Sequence, residues 1–114
     1  MNTKTDIQTV AIDIGREFSD TPFGRDEHDG DYNGKRFLNE FLRPRYQEAK
    51  NKGAFLVISF DNVELPVGSS FLTESFVRLA TEDDCDKDDL LKRLKIVDRT
   101  GFYELAIRQY LEEL

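Results

Sequence analysis

The 114-residue sequence predicts an α/β fold, a mostly parallel β-sheet with helices packed against it. Residues 54–60, AFLVISF, form a nearly continuous apolar run, β-branched and aromatic, of a length suited to a strand buried on both faces. Segments with helical periodicity flank that run, and strand-like and helix-like segments alternate along the chain, the pattern of parallel strands joined by right-handed crossovers. Three packed helices are the main competing arrangement, and AFLVISF argues against it.

The first element is a strand over residues 7–14, where Val10, Ile12 and Ile14 alternate with other positions and Gly15 ends the pattern. Residues 15–33 carry Gly15, Pro22, Gly24 and Gly30 without periodicity. A structureless loop of that length in a small domain is uncommon and is usually functional or mobile. From Lys35, the apolar positions Phe37, Leu38, Phe41, Leu42, Tyr46 and Ala49 fall on one helical face, and Lys35, Arg36, Arg43, Arg45, Lys50 and Lys52 cover the other. Pro44 lacks an N–H and collides with the carbonyl of Glu40, so a kink or restart is predicted there. Gly53 ends this helix, the strand 54–60 follows, and Asp61 and Asn62 turn the chain. A second helix begins near Ser69 and Ser70, either of whose hydroxyls can cap free N–H groups, and buries Leu72, Phe76 and Leu79. Leu90, Leu91 and Leu94 suggest a short helical turn, residues 94–97 a third strand. Asp98 or Thr100 can cap a last helix with the face Tyr103, Ala106, Ile107, Tyr110, Leu111 and Leu114.

The formal charge is −7. Residues 15–33 hold six acids against Arg16 and Arg25, a balance of −4, and residues 82–89 hold six acids against Lys87, a balance of −5, so the remainder is +2. Both acidic stretches are poor in apolar residues and read as surface loops. The acidity argues against binding phosphate backbones or anionic membranes, softened only by the basic face of the first helix. The one cysteine, Cys85, lies in an acidic run that raises its thiol pKa, which implies an inert thiol and a reducing compartment. No apolar stretch approaches the roughly 20 residues of a membrane span, and the start MNTKTD lacks a signal-peptide core. A single cytoplasmic domain over residues 1–114 is the expectation.

Two segments carry a resemblance. In residues 55–80, FLVISFDNVELPVGSSFLTESFVRLA, a buried strand ends in Asp, a short turn follows, and a Ser pair opens a helix. In residues 18–44, FSDTPFGRDEHDGDYNGKRFLNEFLRP, the informative positions are Phe18, Ser19, Pro22, Gly24, Arg25, Asp29, Gly30, Gly34, Phe37, Leu42 and Pro44. The first segment resembles the STAS superfamily of sulfate transporters and antagonists of anti-sigma factors, and the second resembles its bacterial STAS-like family of unknown function. The likeness covers residues 12–80 well and the C-terminal third in outline. It implies a small STAS-like domain acting as a regulatory protein-interaction module, not an enzyme, with no cofactor. In the antagonist branch a partner kinase with a histidine-kinase-like ATP site phosphorylates the second Ser of the pair, which corresponds to Ser70, with Ser69 beside it. The antagonists usually have Asp before the pair and Gly after it, where this chain has Gly68 and Phe71. The alternative is that the two serines serve as cap and neighbour. The resemblance puts the docking surface around residues 65–76, with Arg25, Asp29, Gly68, Ser69, Ser70, Phe71 and Glu74 as partner-binding candidates.

Other chemistry is also spelled out in the acidic loop. Asp29, Asp31, Asn33, Gly34 and Glu40 satisfy the calcium-loop pattern D-x-[DN]-x-[DN]-G-x5-E, with Asp29, Asp31, Asn33 and Glu40 as oxygen donors. Against it, Arg36 occupies a position usually apolar, no helix precedes Asp29, and a solvated acidic loop explains the same residues. His28 lies between Glu27 and Asp29, whose charges favour its protonated form. Arg25 can brace the loop through a bidentate pair or wait for an anionic group. A small enzyme built from Arg25, His28, Asp29 and Ser70 is the remaining rival, although no spacing ties either serine to His28 and no phosphate-binding glycine signature is present.

Overall fold

The computed structural model describes residues 8–64 and 66–114. Ile7, the predicted start of the first strand, and Leu65, the first residue of the expected docking surface, lie outside the described residues. Three strands, β1 (Thr9–Asp13), β2 (Phe55–Ser59) and β3 (Leu94–Val97), form a parallel sheet in the order β1-β2-β3. The register aligns Val10 with Leu56 and Leu94, and Ile12 with Ile58 and Ile96, so one face carries a continuous apolar layer, all of it buried.

The other face is open. Thr9, Ala11, Lys95 and Val97 are exposed, and Phe55, Val57 and Ser59 are half-buried. β2 is therefore not covered on both sides as its apolar run predicts. When sequential strands are also neighbours in the sheet, both crossovers advance in one direction, and a single handedness sets their helices on one side. Phe55 gains partial cover from Lys95, whose ammonium lies 4.8 Å from its ring centroid.

After β1 comes a single helical turn, α1 (Ile14–Glu17), whose Arg16 N–H donates to the Asp13 carboxylate at 3.3 Å. Helix α2 runs over residues 34–52 as an α turn Gly34–Phe37, a π turn Leu38–Leu42 and an α segment Arg43–Lys52. The π turn replaces the predicted kink or restart. Pro44 has no N–H to give Glu40, and the wider turn, in which the Arg43 N–H reaches back to the Leu38 carbonyl, accommodates its ring while the helix continues. Gly53, at φ 66°, ends the helix in the left-handed conformation open to glycine. Helix α3 spans residues 69–80 and also contains a π turn, Thr73–Val77. No proline causes this one. The Thr73 and Ser75 hydroxyls donate to the Ser69 and Phe71 carbonyls at 2.9 and 2.7 Å, serving acceptors in the turn where the backbone widens. Helices α4 (Lys87–Arg93) and α5 (Phe102–Glu112) complete the order. The cap of α5 is Gly101 and neither expected residue, but Asp98 and Thr100 still serve the first turn from upstream, accepting from the Tyr103 and Phe102 N–H groups at 2.7 and 3.1 Å.

The predicted apolar faces meet in one cluster on the covered side of the sheet, with Tyr46, Phe37, Phe71 and Phe76 its largest fully buried members, except that Leu114, expected on the face of the last helix, lies past its end and is exposed. The acidic run 82–89 is drawn onto α2. The Arg43 Nε donates to Glu82 at 2.9 Å, the Gln47 amide to Asp84 at 3.3 Å, the Lys50 ammonium to the Asp84 carbonyl at 3.2 Å and the Tyr46 hydroxyl to Asp89 at 2.8 Å. Along the basic face of α2, Arg36 pairs with Glu40, Arg43 with Glu82, Arg45 with Glu17 and Lys52 with Glu48. No helix among the described residues is long and apolar enough to cross a membrane.

Each outer strand carries an arginine at its free edge. Gln8 and Val97 turn their carbonyls toward β2, bonding to Phe55 and Phe60 N–H groups, so by alternation the Ala11 and Leu94 carbonyls face outward. The Arg45 guanidinium donates to the Ala11 carbonyl at 2.7 Å and Arg108 to that of Leu94 at 2.9 Å. Side chains placed there obstruct pairing with another strand. The double substitution Arg45→Ala with Arg108→Ala is expected to raise concentration-dependent association, measured by multi-angle light scattering, while the far-UV circular dichroism stays native.

Candidate functional site

The loop after α1 is folded tightly against the start of α2. The Phe23 N–H donates to the Tyr32 carbonyl at 2.9 Å, Gly34 to Gly24 at 2.9 Å and Lys35 to Arg25 at 2.8 Å. Phe18, Pro22, Gly24, Asn33 and Gly34 are all buried. Gly24 combines φ 83° with a site where a Cβ would lie 2.3 Å from that of Asp29. The predicted structureless stretch is therefore an ordered loop that owes its shape to main-chain hydrogen bonds.

Gly34 brings this loop to α3. A Cβ on Gly34 would lie 2.8 Å from the Phe71 carbonyl oxygen, 3.0 Å from Glu74 Cβ and 3.3 Å from the Gly24 carbonyl oxygen. The two segments that carry the sequence resemblance thus converge at the absent side chain of Gly34.

At the start of α3 the cap is Gly68, in extended backbone and with no side chain to offer. Ser69 is exposed and Ser70 half-buried, and neither hydroxyl makes a hydrogen bond among the described residues. Capping, the structural role foreseen for them, is not what they do. As the first two helical positions they lie past the cap, where N–H groups point away from any helical carbonyl. Phe71 is fully buried and Glu74 is paired with Arg78 at 3.4 Å.

A polar groove of about 560 Å³ runs between α2 and α3, lined on the loop and α2 side by Arg25, Lys35 and Arg43 and on the α3 side by Glu74 and Arg78. Arg43 is held by Glu82, which raises the guanidinium pKa, and the pairing keeps the Glu82 carboxyl below the usual range. The side chains of Arg25 and Lys35 have no hydrogen-bond or ion-pair partner among the described residues. Arg25 does not brace the loop through its guanidinium as the sequence suggests. Its main-chain N–H, not its side chain, donates to the Asp29 carboxylate at 2.8 Å.

The calcium-pattern residues have other partners. The Asn33 amide donates to the Gly30 carbonyl at 2.7 Å, and its oxygen caps α2 by accepting from the Arg36 N–H at 2.8 Å. Asp29 accepts from Arg25, and Glu40 is paired with the Arg36 Nε at 3.1 Å. Asp31, Asn33 and Glu40 do line one groove of about 360 Å³, but Arg36 lines it too and sets a positive charge where a cation would sit. Among the described residues no group of three or more His, Cys, Asp or Glu is placed to hold a metal ion.

The enzymatic constellation is likewise not joined. The exposed His28 ring meets Asp26 through Nδ1 at 3.2 Å, and no hydrogen bond links it to Ser70 among the described residues. Cys85 is half-buried, and burial pushes its thiol up.

Two features of the site escape the sequence reading. Lys35 reads as one of the charges on the polar face of its helix, and Arg78 was not singled out, yet both line the groove. Asn33 directly ahead of a helix carries a capping signal that was legible beside the calcium pattern. Asn33→Ala is expected to cost about 1–2 kcal/mol in urea unfolding. Ser69→Ala and Ser70→Ala are each expected to stay within about 0.5 kcal/mol of the parent, since no bond is lost.

Comparison with curated proteins and with solved structures finds no match. The profile of the STAS-like domain of unknown function (DUF4325) matches residues 33–112. That span begins at the α2 cap, so Arg25 and the other loop positions before Asn33 lie ahead of it, while the Ser pair and the C-terminal third lie within it. Covering more than two thirds of the chain and taking in every element from α2 to α5, the match establishes that this protein belongs to the STAS-like family.

Proposed function

We propose that this protein is a regulatory interaction module that docks a partner protein, an ATPase or kinase with a histidine-kinase-like ATP site, and that Ser70 is the switch. The observation that carries the reading is the Ser70 hydroxyl, half-buried at the start of α3 and without a hydrogen bond among the described residues. The docking surface comprises Gly68, Ser69, Ser70, Phe71 and Glu74, together with Arg25 and Asp29 of the adjoining loop. Phe71 and Asp29 act from behind, Phe71 by anchoring the first turn in the core and Asp29 by holding the Arg25 main chain.

In the switching step the Ser70 Oγ attacks the γ-phosphorus of ATP on the partner. The new O–P bond forms as the bridging β,γ P–O bond breaks, ADP leaves, and the hydroxyl proton passes to a base of the partner. The added charge of about −1.5 to −2 changes what this surface can dock. The protein is substrate and ligand here, not catalyst. Affinity capture from the native host with wild type, Ser70→Ala and Ser70→Glu tests the proposal. The expected result is one partner retained by wild type and Ser70→Ala and lost with Ser70→Glu. Equal recovery by all three, or no specific partner for any, contradicts it.

A further inference from the structure

We propose that a phosphoryl group on Ser70 is held by the Arg25 guanidinium at the mouth of the α2/α3 groove, so that modification ties the loop to α3. This rests on the reading of Ser70 as the switch. The Arg25 main chain is fixed on both sides, its carbonyl accepting from Lys35, its N–H donating to Asp29, and the neighbouring Gly24 carbonyl accepting from Gly34. Gly34 in turn abuts the Phe71 carbonyl and Glu74 Cβ. Ser70 immediately precedes Phe71 and lies one turn before Glu74 on the same helical face, the i, i+4 relation. The base of Arg25 and the first turn of α3 are therefore held close together by backbone packing, with the long guanidinium arm free to close the remaining gap.

The competition for the phosphate is narrow. Arg43 is engaged by Glu82 and Arg78 by Glu74, which leaves Arg25, with Lys35 behind it, as the unpaired cations of the groove among the described residues. Asp26, Glu74 and Glu82 are the carboxylates that line the groove, and the pairings of Glu74 with Arg78 and of Glu82 with Arg43 offset the repulsion from those two. A guanidinium presents two parallel N–H groups to phosphate oxygens, a geometry an ammonium lacks.

The test is a phosphorus NMR titration of the full chain carrying genetically encoded phosphoserine at position 70, in the wild-type, Arg25→Gln and Lys35→Gln backgrounds, each checked for native circular dichroism. An exposed phosphoserine has its second pKa at about 6. The expected result is a value about one unit lower in wild type, most of that drop lost in Arg25→Gln, and a smaller part lost in Lys35→Gln. An identical titration in wild type and Arg25→Gln overturns the contact. That outcome leaves Ser70 standing as the switch, whereas partner capture that ignores Ser70→Glu defeats the switch without touching this measurement.

Discussion

Gly15→Ala is expected to lower the unfolding free energy by about 3 kcal/mol, the upper range for one added carbon in a packed site. The Cβ would lie 2.1 Å from the Asn62 carbonyl oxygen, 2.3 Å from its carbon and 2.6 Å from its Cβ, so the obstacle is mostly backbone. That backbone has little room to retreat. The Asn62 amide donates to Asp13 at 2.8 Å, and Asp61 accepts from the Arg99 N–H at 3.0 Å, which ties the turn after β2 to the ends of both neighbouring strands. Relief requires α1 and this turn to separate, breaking those bonds. Gly68→Ala is the matched control, because nothing lies within 4 Å of a Cβ there. Urea unfolding of the two variants checks the point, and equal midpoints would count against the packing described.

Asp89→Ala is expected to cost a similar amount, about 3 kcal/mol, through the groups it strands. The Tyr46 hydroxyl, on a fully buried side chain, donates to Asp89 at 2.8 Å, and Arg93 reaches the same carboxylate through two nitrogens at 2.7 and 3.1 Å. Arg93 also donates to the Ala54 carbonyl at 2.8 Å, so the network joins α2, α4 and the approach to β2. Burial, then the bond to Asp89, pushes the Tyr46 hydroxyl far above its ordinary range. Hydrogen bonds from Arg93 hold the Asp89 carboxyl below its ordinary 3.8, and those from Arg43 hold Glu82 below 4.5.

The sign of the pH effect follows. Carboxyls whose folded pKa is depressed contribute stability that is complete above their unfolded values and is lost as pH falls through the folded ones. Stability is therefore expected to decline as pH drops below about 5, less steeply in Asp89→Ala than in wild type. Thermal unfolding between neutral pH and pH 3 reads this directly, and parallel curves for the two proteins would show that Asp89 contributes nothing to the acid response.

Much of the fold was legible because apolar spacing and core geometry agree. Phe37, Leu42, Tyr46 and Ala49 lie on one predicted face and are all buried, and the AFLVISF run supplies the central strand. The apolar run misleads about the second face of β2 because coverage depends on strand order, which no single segment encodes. Neither π turn was legible. One answers Pro44 by widening where a kink was the simpler reading, and the other is accompanied by hydroxyl back-bonding from Thr73 and Ser75 that resembles ordinary polar helix surface in the sequence. The site was half legible. Motif positions named Ser70, Arg25 and Gly34, but only the closeness of Gly34 to Phe71 shows that the loop and the Ser-pair helix share one surface. The acidic loops divided in the same way, since local charge marks both 15–33 and 82–89 and only tertiary pairing reveals that the second is drawn onto the basic face of α2.

The role of Ser70 is tested most directly by phosphopeptide mapping of the protein purified from its native host across growth and stress conditions. The result expected is a phosphate on Ser70, with occupancy that changes between conditions and with Ser69 and Thr73 unmodified. A protein whose Ser70 peptide is recovered in full without phosphate under every condition would contradict the switch.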